Sequence, residues 1–168
     1  MIDVVLDVKD KFCRITDERA LLSLCFKDIN HFYELLQKAN AADFLRSEHV
    51  VLFSIFCALE NSKVNKFDVP MIINMAQREG YLDSIGNVEY ILSIADMAVS
   101  SSNFGVYLQN VLEASTKYRL YNVMYSNLKE LEESTKTDTR PVSDLIGKVE
   151  VDILDLSVQS RAVKEPIN

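Results

Sequence analysis

Residues able to do nucleophilic, acid–base or metal chemistry are few and scattered in this sequence. The two histidines are His31 and His49, and His49 follows directly on Ser47 and Glu48. A Ser/His pair makes a nucleophile only when the imidazole reaches the hydroxyl and a third group orients the ring. Neighbouring positions at a helix start do not offer that geometry, so His49 reads as a capping or packing residue. His31 reads as a surface or boundary residue. Cys13, Cys25 and Cys57 are odd in number, far apart and outside any CxxC pair, which disfavours a zinc site. Cys25 and Cys57 lie among apolar residues and read as small buried hydrophobes, which fits a reducing compartment. Glu130, Glu132, Glu133 and Asp138 form an acidic cluster. Its plain reading is a solvated helix end; a metal or a basic partner is the sharper one. The patterns GxxxxGKS/T, GxGxxG and GxSxG are all missing. No catalytic, cofactor-binding or metal-ligating residue is assigned from the sequence.

The tyrosines Tyr107, Tyr118, Tyr121 and Tyr125 remain. Aromatic side chains stack on bases in single-strand binders, with basic residues between them, yet only Lys117 and Arg119 lie close by. Helix packing is the better account. Phe104, Tyr107, Val111, Ala114, Tyr118, Tyr121, Tyr125 and Leu128 follow one another in alternating steps of three and four. That is a heptad seam, the spacing that keeps one stripe of a helix against a partner helix. A helix from Asn103 to about Ser134 would reach roughly 45 Å, too long to be buried along its whole length in a domain of this size. The seam pairs either with a returning helix of the same chain or also with another copy, and the length favours the second.

The elements that must position these residues are helical. The chain has 168 residues, 48% of them hydrophobic, with only four glycines and three prolines. That is ample for a core and poor in turn formers, which predicts an all-α fold. A net charge of −7 disfavours strong sequence-independent binding to nucleic acid. The first residues have neither a basic start nor a long apolar core, so they do not form a signal peptide, and no stretch has the length of a membrane span. Residues 1–15 read as an N-terminal arm. Thr16 is the expected cap of a first helix carrying Leu21, Leu22, Leu24, Cys25 and Phe26. Asn30 is the expected cap of a second, with Phe32, Leu35 and Leu36 turned inward. Phe44 anchors a connection. A third helix from Ser47 to about Asn61 is apolar nearly all round and belongs at the centre. Asp68 caps a fourth helix that Gly80 stops, residues 81–86 form a turn, and Asn87 caps a fifth. The sequence thus predicts a globular cluster of about five helices over 16–99. A helical hairpin follows over 100–157, and a linker begins at 158. Its returning arm carries Leu145, Ile146, Val149 and Ile153.

In this order the chain resembles the N-terminal domain of DnaB-type replicative DNA helicases. The resemblance is carried by Thr16-Asp17-Glu18-Arg19-Ala20-Leu21-Leu22 and Asp43-Phe44. It continues through His49-Val50-Val51-Leu52-Phe53, Asp68 with Gly80-Tyr81-Leu82, and Gly86-Asn87-Val88-Glu89-Tyr90-Ile91. Asn103, Tyr107 and Arg119-Leu120 complete it. It spans roughly residues 15 to 156. Asp17-Glu18-Arg19 replaces the family's Glu-Ala-Glu, His49-Val50 its His-Arg, and Gly86 stands alone where the family has paired glycines. The departures point to a divergent member of the kind a phage or plasmid carries.

The resemblance implies a role. Such domains form the collar of a hexameric ring, pair through their hairpins and help dock primase. Nucleotide and single-stranded DNA are handled by a following ATPase domain that this chain does not contain. The expectation is therefore a piece of a cytoplasmic helicase, in a bacterial cell or a phage-infected host. It has no activity and no cofactor of its own, ATP and Mg being bound in the missing domain, and no membrane partner. Its assembly face would be Tyr107, Val111, Tyr118, Tyr121, Tyr125 and Leu128 on the long arm, with Leu145, Ile146, Val149 and Ile153 on the returning arm. The alternative is the helicase-interacting C-terminal domain of a primase, or another all-α replication adaptor; the N-terminal Met and linker-like end favour the helicase. A self-contained all-α enzyme is a third reading, against which the missing motifs count.

Overall fold

The computed structural model describes residues 8–136 and 140–164. Its helices are α1 (Ile15–Lys27), α2 (Ile29–Lys38), α3 (Ser47–Glu60), α4 (Val69–Arg78), the single-turn α5 (Leu82–Ile85), α6 (Val88–Ala95), α7 (Phe104–Ser134) and α8 (Val142–Lys164). Residues 8–12 are helical too, and no strand occurs among the described residues. The expected N-terminal arm falls partly outside them, at residues 1–7. The fold is all-α, and the chain divides into two compact units, the first ending at Ser115 and the second beginning at Thr116.

The first unit is built around α3, which packs against α1, α4, α5 and the 3-10 turn Ala41–Asp43. Leu52, Phe53, Ile55, Phe56 and Leu59 are all buried, as a helix apolar on nearly every side requires. Phe56 stacks on Phe67 at 4.5 Å, and Phe32 meets Phe67 edge-on at 5.1 Å. Such pairs contribute about 0.5–1.5 kcal/mol each beyond the area they bury. Phe44 is buried against Phe53, with ring centres 5.2 Å apart.

Local chemistry sets several of the helix ends. Asp68 accepts from the Met71 N–H, with Pro70 in the first turn. Gly80, at φ +74°, lets the Tyr81 N–H reach the Ala76 carbonyl and the Gly80 N–H reach that of Gln77. This is the left-handed closure that glycine permits. Asn87 accepts from the Tyr90 N–H. Other ends differ from expectation. α1 starts at Ile15, one residue before Thr16, and no side chain caps it. The cap of α2 is Asp28, not Asn30: the Asp28 carboxylate accepts from the Asn30 N–H. Residues 82–85 form a helical turn, and Leu36 and Leu92 face solvent. α8 runs on past residue 158, the expected start of the linker, to Lys164; no glycine or proline occurs between Gly147 and Pro166. Residues 165–168 lie outside the described residues.

The start of α7 belongs to the first unit. Phe104, Leu108, Val111 and Leu112 sit in its core, and His31 stacks on Phe104 at 5.1 Å. Asn110 Nδ2 donates to Asp17 Oδ1 at 2.9 Å, and Ser115 Oγ donates to the buried Asp43 at 2.8 Å. The second unit is an αα-hairpin of the rest of α7 with α8. Among the described residues no helix is long and apolar enough to cross a membrane.

Candidate functional site

His49 is fully buried at the start of α3, its Nδ1 2.8 Å from Glu18 Oε1 on α1 and its Nε2 2.7 Å from the Tyr90 hydroxyl on α6. Both ring nitrogens thus have a partner, Nδ1 the carboxylate and Nε2 the phenol oxygen. Glu18 also accepts from the Leu45 and Arg46 N–H groups, at 2.9 and 3.3 Å, and from Cys13 Sγ at 3.3 Å. Ser47 Oγ turns to Glu48 instead. The acid–imidazole–hydroxyl order resembles a relay, but burial raises the Tyr90 phenol above its ordinary pKa, with neighbouring charges contributing less. That makes it a poorer nucleophile, while His49 and Glu18 behind it are shut off from solvent. Burial and then the Glu18 charge push the Cys13 thiol up to about 12. This is a structural knot, which ties three helices where residues that carry the family resemblance meet. Glu18 and Tyr90 were not paired with His49 in the sequence because their separations of 31 and 41 positions carry no local pattern.

The hairpin offers a surface instead. Between its arms runs a groove of about 600 Å³, lined mainly by Tyr121, Met124, Tyr125, Leu128, Leu131, Val142, Leu145, Ile146, Val149 and Ile153. Tyr125, Leu128 and Ile146 are 57%, 56% and 53% exposed, so the intrachain pairing leaves them unsatisfied. Tyr121 and Tyr125 stack at 6.1 Å. The groove brings together Tyr121, Tyr125, Leu128, Leu145, Ile146, Val149 and Ile153 of the sequence-derived set. It does not include three others: Tyr118 is half-buried on α7, Tyr107 is half-buried against the first unit's core, and Val111 is inside that core. A heptad stripe has the same spacing whether its partner is the body of the fold or a second helix, so the seam splits between the two units. Met124, Leu131 and Val142 were missed. Met124 and Leu131 fall off the strict seam, and Val142 begins the returning arm.

The groove has three polar side chains, Asn127, Glu130 and Lys148. Lys148 Nζ lies 2.9 Å from Asp152 Oδ2, 3.0 Å from Asn127 Oδ1 and 3.2 Å from Glu130 Oε2. Arg140 donates to Glu130 Oε1 at 2.8 Å. The bonds from Arg140 and Lys148 hold the Glu130 carboxyl below its ordinary range, and those from Asn127 and Lys148 do the same for Asp152. The Asp152 and Glu130 contacts hold the Lys148 ammonium up. Of the acidic cluster read from the sequence, Glu130 is thus an intrachain ion-pair partner, and Asp138 lies outside the described residues. Among the described residues no group of three or more His, Cys, Asp or Glu could hold a metal ion.

No curated protein matches the chain in sequence. The structure is similar to the crystal structure of the N-terminal domain of DnaB helicase from Mycobacterium tuberculosis, with a TM-score of 0.75. That likeness covers 85% of this chain and 98% of that one at 17% identity, and at such identity it shows the fold. The family model described as the DnaB-like helicase N terminal domain matches residues 10–113. With that match over more than half its length, and the fold to accompany it, the chain belongs to the DnaB-like helicase N-terminal domain family.

Proposed function

We propose that the chain is an assembly domain: copies pair through the hairpin groove and build the N-terminal collar of a hexameric, ATP-dependent replicative helicase. The collar in turn docks primase. The observation that carries the pairing is the groove, an apolar channel flanked on both arms by large apolar side chains open to solvent. A standard interface takes about 800 Å² from each partner, so the pairing needs the exposed apolar side chains along both arms, Met124, Leu131 and Val142 among them, as well as the groove itself. Burial contributes roughly 25 cal/mol per Å², against which lost rigid-body freedom and side-chain ordering cost about 4–15 kcal/mol. A second copy is the occupant that fits, because it brings the same apolar surface and an isologous contact closes on itself.

Primase docking and the hexameric parent are supported by family membership. The same membership supports assigning ATP, Mg and single-stranded DNA to a separate ATPase domain of the parent. The test is the mass of the protein in solution across a concentration series. A concentration-dependent dimer or larger closed assembly is expected, and a monomer throughout the micromolar range overturns the reading.

A further inference from the structure

The polar side chains in the groove are arranged differently from a solvated rim. An ammonium has three protons to donate, and the Lys148 ammonium has three acceptors within hydrogen-bond distance: Asp152, Asn127 and Glu130. The Asn127 amide fixes this centre from the other arm. Its Oδ1 accepts from Lys148, while its Nδ2 donates to Asp152 Oδ2 at 3.0 Å and to the Val123 carbonyl at 2.8 Å. The lysine is therefore saturated by its own chain before anything covers the groove. Covering it removes water without stripping it of partners, so the usual penalty for an unpaired buried charge does not arise.

The carboxylates are not saturated. Each has about four lone-pair sites, and the bonds to Lys148, Asn127 and Arg140 occupy only part of that capacity. Their remaining acceptor capacity must face water or a donor. A partner helix that slid by a turn would lay methyl and methylene groups over them and leave them dry. A single polar position inside an apolar seam specifies register and oligomer state in this way, at some cost in stability.

We infer that the bracket of Lys148, Asn127, Glu130 and Asp152 sets the register in which a second copy seats on the groove. This rests on the pairing through the groove proposed above. The apolar lining supplies the attraction, and the bracket, with Glu130 in the lining and Asp152 joined to it through Lys148 and Asn127, penalises every alignment that covers its open carboxylate edges. Lys148 acts here as a positioning residue.

The test uses the full chain with a nitroxide on Ser126→Cys, an exposed position of α7, and reads the distance between labels in the paired state by pulsed dipolar spectroscopy. Cys13 and Cys57 are only partly buried, so mass spectrometry of the labelled chain first establishes that the nitroxide sits on the introduced cysteine alone. One narrow distance is expected for the parent sequence and for Lys148→Arg. Lys148→Met takes the cation from Glu130 and Asp152, so it should still pair but up to about tenfold more weakly, since removing one partner of an ion pair leaves the other uncompensated. Its distances should spread over two or more populations. Asp152→Asn, an isosteric change, should broaden the distribution in the same direction. A parent chain that never pairs overturns the pairing, and this inference with it. Pairing with one unshifted distance in both variants overturns the register role alone. So does loss of pairing in Lys148→Met at unchanged helical content, which would make the bracket an anchor.

Discussion

The Nδ1 of His49 lies 2.8 Å from the Glu18 carboxylate, and both side chains are shut off from solvent. This contact joins α1 to α3, and the Tyr90 hydroxyl on the other ring nitrogen adds α6. Removing Glu18 would orphan the Leu45 and Arg46 N–H groups as well as the imidazole. Glu18→Ala is therefore expected to cost about 3–5 kcal/mol, the range for breaking a buried pair. Urea denaturation followed by circular dichroism measures it, and an unchanged midpoint would show that the knot is not structural.

Phe53 is a second point of leverage. It is buried between Phe32 and Phe44, with ring centres at 5.7 and 5.2 Å. Phe53→Ala should lower stability by about 3–5 kcal/mol through the cavity left behind. The same denaturation experiment reads it; a loss under about 1 kcal/mol would mean that neighbouring rings collapse into the space.

The groove predicts a separation of stability from assembly. Tyr125 and Leu128 are exposed within one chain, so the double change Tyr125→Glu with Leu128→Glu removes no core contact of the first unit. Pairing should fall by at least about a hundredfold, because it places two carboxylates without partners in an apolar interface. The unfolding midpoint of the first unit should stay within about 0.5 kcal/mol. Sedimentation velocity gives the first quantity. Wild-type mass in the double variant would place the interface elsewhere.

The bracket also predicts a pH response. Glu130 and Asp152 are held below their ordinary range by Arg140, Asn127 and Lys148. Their contribution is complete above the unfolded carboxylate pKa and is lost as pH falls through the lowered folded values. Lys148 is held above its ordinary value by Asp152 and Glu130, so its contribution is complete below the unfolded lysine pKa and is lost as pH rises through the raised one. Order in the hairpin should thus be flat through neutral pH and decline below about pH 4. Amide exchange in α8 measured from pH 7 down to pH 3, corrected for intrinsic rates, checks this. Lys148→Met should flatten the part of the decline that depends on the lysine; an identical acid profile in that variant would remove the bracket as its cause.

Much of the fold is legible in the sequence because its signals are local. Asp68, Gly80 and Asn87 end or begin their helices through bonds that span a few residues, and the apolar periphery of α3 announces a central helix whatever surrounds it. Where two candidates compete over two positions, as Asp28 and Asn30 do, the choice depends on where the preceding helix ends. That end is decided by packing.

What the sequence determined by itself, then, is the all-α class, the order of helices and the existence of a two-armed element at its end. These follow from spacing, caps and the scarcity of glycine and proline. Only the tertiary structure decided that the seam of α7 serves two masters, with Val111 in the core and Leu128 in the groove, since a periodic stripe does not name its partner. It alone brought Glu18, His49 and Tyr90 together and closed Asn127 of one arm onto Lys148 and Asp152 of the other. Such contacts join positions far apart in the chain, and chain entropy is overcome there only by the packing of the helices that carry them.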